Sequence, residues 1–363
     1  MKIALVVTRS EMVIPFRKNL INALKAKGHE VVVIAFDDIC GEDISALGVT
    51  FYSVQLNNRG LNPIANLRYK KQLKAIFKKE NPEIVFTFQL KPNLFATQAA
   101  RAVGIKNIFS MVEGAGDVFI NNSLKWKIIR FVVCRLYRKA FKYAKTVFFL
   151  NNDDKAEFIA RKLVKVEQCE VVHGIGVDLE HFAFKPIKNH RTFLMVARML
   201  KTKCIFEYCE CARIVKQKYP DAVFNYLGAE GTVTLADIQE YIDDGSIRYL
   251  GTTKDVRPHI EDCILLLLSS YREGLPMSIM EAQSMGRGVI TSDNVGCRDT
   301  VVDGYNGFLI AQKDYQTMAD KCIWAIENPE KAEEMGKNAR QFSEKHFDCI
   351  IVNEKIFNCL GIE

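Results

Sequence analysis

Short apolar runs alternate with longer segments in which apolar residues recur every three or four positions, and the alternation continues along nearly the whole chain. Apolar runs bounded by turn residues predict strands buried on both faces, and the periodic segments between them predict helices that cover those faces. In the first half, strands are expected at Lys2–Val7, Glu30–Ala35, Thr50–Val54, Ile84–Phe88, Asn107–Met111, Thr146–Leu150 and Cys169–His173. In the second half they are expected at Thr192–Ala197, Ala222–Leu227, Ser246–Tyr249, Cys263–Leu268, Gly288–Thr291 and Phe308–Ile310. A helix is expected between the first two strands, from Phe16 to Lys27. Gly28 stops it, because glycine takes the left-handed conformation that ends a helix.

Strand–helix alternation predicts an α/β architecture with parallel sheets. A chain of 363 residues exceeds one such sheet and fits two domains. The stretch FAFKPIKNHR, Phe182 to Arg191, has neither period and contains a proline, so it reads as a connection. The expected division is a Rossmann-like domain over 1–183, a linker over 184–191, a second Rossmann-like domain over 192–345, and a segment over 346–363 that packs back on the first domain. A cleft between the two domains is the economical arrangement. Ligands of such sheets sit outside the carboxyl ends of the strands, so residues just after strands carry the most weight.

Composition narrows the class. A hydrophobic fraction of 48% with 26% charged residues excludes disorder and fibrous folds. The N-terminal run MKIALVV reaches Arg9 and Glu11 too soon for a signal peptide, and the run Cys263–Leu268 falls far short of the roughly 20 apolar residues that cross a bilayer. A cytoplasmic, non-spanning protein is expected. The 11 cysteines include no C-x-x-C, and Cys209 and Cys211 fall two apart in a helical pattern, where they cannot face one ligand. Buried, reduced thiols are expected rather than a metal site. The formal charge of +7 is concentrated: between Leu124 and Thr146 there are eight Lys or Arg and no acid. Lys127, Arg130, Arg138, Lys142 and Lys145 alternate with Ile128, Phe131, Val132, Leu136 and Phe141, the pattern of a basic amphipathic helix that lies on an anionic membrane surface. The alternative is a solvated helix whose apolar face packs on its own domain.

The most informative stretch is SSYREGLPMSIMEAQSMG, Ser269 to Gly286. It follows the most hydrophobic strand, turns at Gly274 and Pro276, and becomes helical from about Met277. Glu273 therefore stands in the loop at a strand's carboxyl end, and Glu281 about one turn into the helix. A helix N-terminus offers free N–H groups to a phosphate, and a loop carboxylate accepts from vicinal hydroxyls. These residues alone also suit a capped surface helix.

The run from Glu273 to Glu281 resembles the E-x7-E signature of retaining GT-B glycosyltransferases, specifically glycosyltransferase family 4. That resemblance implies two Rossmann-like domains facing each other across a cleft. It implies that Glu273 contacts the donor sugar's hydroxyls, that Glu281 holds the nucleotide ribose, and that Gly274, Leu275 and Pro276 line the same donor loop. Val196-Ala197-Arg198-Met199 with Lys203 matches the place where the family binds the diphosphate with Arg and Lys. Two cations there neutralise charge that grows on the leaving group. The family has glycine after that lysine; here it is Cys204, which puts the loop's backbone in question but keeps both charges. Gly176 in GIGVD, Gly251 in YLG, and the segment DGYNGF from Asp303 are further fits, with Gly176 and Gly251 taken on the donor side.

In the first half, Lys91-Pro92-Asn93 and Val112-Glu113-Gly114-Ala115-Gly116 resemble the subgroup that builds lipopolysaccharide, capsule and lipid-linked oligosaccharides. VEGAGDVFI, VARMLKTK and SYREGLPMSIMEA look most like bacterial N-acetylgalactosaminyltransferases that extend undecaprenyl-diphosphate sugars. Many family members place a His near the donor sugar; the matching loop here offers Glu113, a fourth candidate catalytic residue beside Glu273, Arg198 and Lys203, to bind a sugar hydroxyl or steer the acceptor, the alternative being a buried Glu that fixes the Gly-rich turn. Arg17, Lys91 and Asn93 are acceptor-side candidates, with Arg17 equally suited to a solvated place in the helix's first turn. The glycine-rich loop common after the family's first strand is missing, and no D-x-D, the metal-holding motif of single-domain transferases, occurs. No metal or cofactor is expected. The implied activity is retaining transfer of a hexose or N-acetylhexosamine from a UDP-sugar to a polyprenyl-diphosphate-linked glycan, by a protein peripheral to the inner face of the cell membrane and without nucleic-acid partners. A UDP-sugar 2-epimerase of the same fold and a non-catalytic subunit are the alternatives.

Overall fold

The computed structural model describes residues 1–54, 56, 62–120 and 123–362. All the expected strands form: β1 (Lys2–Val6), β2 (Glu30–Ala35), β3 (Thr50–Ser53), β4 (Ile84–Phe88), β5 (Asn107–Val112), β6 (Thr146–Phe149), β7 (Cys169–Val171), β8 (Thr192–Val196), β9 (Val223–Leu227), β10 (Arg248–Tyr249), β11 (Leu265–Leu268), β12 (Gly288–Ser292) and β13 (Gly307–Ile310). β10 is shorter than expected because Asp244 Oδ1 accepts the Ser246 N–H at 2.8 Å and holds that residue in the preceding turn. The first helix starts earlier, at Val13, and runs to Ala26. Its Pro15 is tolerated because first-turn N–H groups have no partner within the helix.

The strands make two parallel sheets, one of seven strands in the order β3-β2-β1-β4-β5-β6-β7 and one of six in the order β10-β9-β8-β11-β12-β13. The strand order reverses between β1 and β4 in the first sheet and between β8 and β11 in the second. At such a switch point the connecting helices leave to opposite faces and open a crevice at the strands' carboxyl ends. β4, β11 and β12 are buried along their whole length, which is why they read as continuous apolar runs.

The chain divides into two compact units, Met1–Ile175 with Val352–Glu363, and Gly176–Ile351. The division thus precedes the stretch expected as a linker, and 184–191 belongs to the second unit. Arg287, fully buried, draws it there by donating to the carbonyls of Lys185, Ile260 and Glu261. Gly176 lies at the boundary because the backbone of Cys349 passes it: a Cβ there would come within 2.5 Å of Cys349 Cα. Val177 then bonds the backbone of Phe347 and Cys349. Each unit has its own core, centred on its sheet.

The basic segment forms the helix Leu124–Phe141, and it packs differently from the expected pattern. It buries Val133, Cys134, Tyr137, Ala140 and Phe141. Phe141 therefore belongs to the core, while Leu124, Ile128, Phe131 and Val132 are exposed. Arg130 and Arg138 are used within the unit, donating to the carbonyls of Val118 and of Arg161 and Lys162. Among the described residues no helix is long and apolar enough to cross a membrane. All 11 cysteines are free, and most are buried.

Candidate active site

In the second unit the chain leaves β8 at Ala197 and presents Arg198 to solvent. The loop is pinned to its neighbour after β9, with Met199 N–H donating to Ala229 O at 2.9 Å and Val233 N–H to Met199 O at 3.0 Å. Gly228 makes this approach possible, since a Cβ there would sit 1.7 Å from Ala197 O. A single 3-10 turn, Lys201–Lys203, follows. Cys204 then adopts φ 57° and ψ 43°, the left-handed conformation that glycine takes at least cost. The thiol is buried at 1% exposure, so cysteine holds the turn and leaves both flanking cations in place.

The loop after β11 meets this one across the switch point. Tyr271 N–H and Ser270 Oγ both donate to Thr202 O, at 2.9 and 3.1 Å. Lys203 Nζ donates to Glu273 Oε1 in an ion pair that leaves the side chains 22% and 14% exposed. Glu273 is held from behind, its N–H donating to Val295 O at 3.0 Å. Gly296 has φ 78°, and a Cβ on it would lie 2.3 Å from Glu273 O and 2.6 Å from Gly274 O. Sequence reasoning missed Gly228 and Gly296, because the need for glycine comes from a backbone that is distant along the chain.

The helix after this loop, Met277–Ser284, has Pro276 at its N-cap with no side-chain cap. Leu275 and Pro276 are buried, so only their backbone can serve a ligand. Glu281 is partly buried, and no side-chain partner is found for it among the described residues. Burial alone pushes its carboxyl up to about 8. Beside Arg198, a cavity of about 240 Å³ is lined by Leu227, Gly228, Thr252, Thr253 and Val256. Gly251, with φ 76°, borders this region and accepts the Gly228 N–H at 2.8 Å. Gly176 packs against Cys349, the same contact that places it at the boundary between the units.

In the first unit the residue after β4 does the connecting. Gln89 Oε1 accepts from Thr8 N–H and Oγ1 at 3.0 and 2.8 Å, and its Nε2 donates to Glu113 Oε2 at 2.7 Å. Arg17 pairs with Glu113 Oε1. Its guanidinium lies 4.1 Å from the centre of the Phe88 ring. Arg17 is 2% exposed, which corrects the solvated alternative. Burial pushes it down to about 9, still charged at neutral pH. Asn93 is fully buried, accepting from Thr87 Oγ1 and donating to Met111 O, and so ties β4 to β5. Lys91 is buried at 4% exposure in the first turn of the helix Leu90–Ala102. Gly114 and Gly116, with φ 135° and 71°, supply the turn that follows Glu113. Gln89 escaped sequence reasoning, although its place directly after a strand was a usable signal.

The unpartnered Glu281 generates a prediction. A carboxyl raised above its usual value of 4.5 favours the protonated form in the folded state, so the stability it allows is present at low pH and lost as pH rises from 4.5 to about 8. Glu281→Gln should therefore melt higher than the parent chain at pH 8, with the gap closing toward pH 5. Calorimetry at both pH values checks this, and equal melting temperatures at pH 8 would contradict it.

Comparison with known proteins agrees with the geometry. A family model described as "Glycosyl transferase 4-like" matches residues 2–151, and one described as "Glycosyl transferases group 1" matches 177–342. The chain is 28% identical over 350 residues to the N,N'-diacetylbacillosaminyl-diphospho-undecaprenol alpha-1,3-N-acetylgalactosaminyltransferase of Campylobacter jejuni, covering 93% of this chain and 92% of the relative. It is 27% identical over 316 residues to the UDP-Gal:alpha-D-GlcNAc-diphosphoundecaprenol alpha-1,3-galactosyltransferase of Escherichia coli, covering 82% and 80%. The crystal structure of Anabaena Alr3699/HepE in complex with UDP overlays with a TM-score of 0.80 at 17% identity, covering 99% of this chain and 100% of that one. Two parallel sheets with their polar loops gathered at the switch points, each half matched by a transferase model, make this chain a glycosyltransferase of the GT-B fold.

Proposed function

We propose that the protein transfers a hexose or N-acetylhexosamine from a UDP-sugar to a polyprenyl-diphosphate-linked glycan, with retention of configuration, in the assembly of a bacterial surface glycan. The observation that carries this reading is the Lys203–Glu273 pair at the switch point of the second sheet, with the desolvated Glu281 one turn into the adjoining helix. Lys203 and Arg198 bind the diphosphate, and Glu273 accepts hydrogen bonds from the sugar hydroxyls. Glu281 accepts from the ribose, and the base enters the cavity beside Arg198. UDP in the overlaid Anabaena structure and the acceptors named for the two bacterial relatives support the donor and acceptor classes.

In the reaction the bond from the anomeric carbon to the phosphate oxygen breaks, and the acceptor oxygen attaches to the same face of that carbon. The acceptor's proton passes to the departing phosphate. Charge growing on the diphosphate is met by Arg198 and Lys203, which take the part a metal plays elsewhere. The first unit takes the acceptor, with Glu113 accepting a hydrogen bond from one of its hydroxyls. Glu273→Ala and Lys203→Ala should each lower turnover about 100-fold or more, the worth of a transition-state contact. Activity of the parent chain should be unchanged by EDTA. Near-normal turnover in both variants, measured with a UDP-sugar panel and product mass spectrometry, would refute the donor assignment.

The protein works peripherally at the inner face of the cell membrane, docked through the helix Leu124–Phe141. Exposed Leu124, Ile128 and Phe131 on that helix stand among exposed Lys125, Lys127, Arg135 and Lys139, a combination suited to anionic lipid. A second basic helix, Pro63–Glu80, adds to the same surface: Lys70 is pushed down by burial and then by nearby Lys139 and Lys74. Arg130 and Arg138 serve the fold, so the informative variant reverses Lys125, Lys127, Arg135 and Lys139 to Glu. It should release the protein from phosphatidylglycerol vesicles at 0.1 M salt. Undiminished co-sedimentation would overturn the docking assignment.

A further inference from the structure

We propose that Gln89 is a positioning residue for the transfer reaction, fixing the Glu113 carboxylate so that its open edge meets the acceptor hydroxyl; this rests on the reading of Glu113 given above. Gln89 directly follows β4 at the switch point of the first sheet, and its one side chain joins the carboxyl ends of three adjacent strands. Its carbonyl oxygen takes both donors of Thr8 beyond β1, and its amide donates to Glu113 beyond β5. Arg17 engages the other oxygen of the same carboxylate. Held at one oxygen by the Gln89 amide and paired at the other with Arg17, the carboxylate is restrained in rotation and keeps its remaining lone pairs for the open edge. That edge is reachable: the Glu113 side chain is 17% exposed, whereas Arg17 beneath it is 3% exposed.

The backbone marks Gln89 as well. It has φ 66° and ψ 173°, a region that glycine enters freely and a residue with a side chain enters only under constraint. Glycine would satisfy the turn, yet the position carries a long amide that spans from Thr8 to Glu113. Asn93 four residues on already ties β4 to β5 within the core, so the fold has a separate fastening there.

The test compares Gln89→Gly, Glu113→Gln and the double variant by steady-state kinetics with a UDP-sugar and a polyprenyl-diphosphate glycan. Gln89→Gly keeps the strained turn available and removes only the clamp, and its melting curve reports whether it folds. We expect kcat to fall about 10- to 100-fold, the range for losing a hydrogen bond to a charged group. KM for the donor should be unchanged. In the Glu113→Gln background the same change should cost almost nothing. Gln89→Asn, too short to bridge both partners, should behave like glycine, while Gln89→Glu should fall further because it sets a carboxylate against Glu113. Parent-like kinetics of a folded Gln89→Gly beside an impaired Glu113→Gln would overturn the Gln89 inference alone. A fully active Glu113→Gln would remove the reading it rests on, and additive losses in the double variant would assign Gln89 to the fold instead.

Discussion

A parallel strand covered on both faces has no place for a polar side chain along its length, and the rest of this structure follows from that constraint. β4, β11 and β12 are apolar and buried throughout, so chemistry is displaced to the residues where strands end. Of the many strand ends, those at the reversal of strand order are special, because there the connecting helices part and leave room for a ligand. Gln89 and Glu273 each stand just beyond a strand that borders such a reversal.

Both units place a cation–carboxylate pair there, and the two pairs differ in their surroundings. Arg17 is sealed under Glu113 and against Phe88, so it can act only through its partner. Lys203 and Glu273 both keep part of their surface open. Satisfying each other keeps two charges from standing unpaired in a partly buried crevice. Glu281 has no such partner among the described residues, and burial raises its carboxyl.

The basic helix shows how composition and packing divide responsibility. Its charge and period were legible, but the face it turns inward was not. Val133, Cys134 and Tyr137 pack inward while the equally apolar Ile128 and Phe131 remain outside. Arg130 and Arg138, which read as surface charges, cap carbonyls of neighbouring segments. Sequence periodicity gives an apolar stripe, and only the neighbours decide how much of it is covered.

Local information settled the strands and the two-sheet architecture, and it marked Glu273, Glu281, Arg198 and Lys203 as candidates. Each of these depends on residues close together in the chain: an apolar run, a turn, and a charge directly after it. The left-handed turn at Cys204 was signalled only as a departure from a family pattern, and its conformation came from the fold. What tertiary structure alone decided are relations between distant segments. The pairing of Arg17 with Glu113, the clamp made by Gln89, and the burial of Asn93 and Lys91 are of this kind. So is the need for glycine at 228 and 296, where a carbonyl from another loop occupies the space of a Cβ. The physical reason is that a residue's type fixes which bonds it can make, while parallel-sheet topology, joining strands far apart in sequence, fixes which partners arrive.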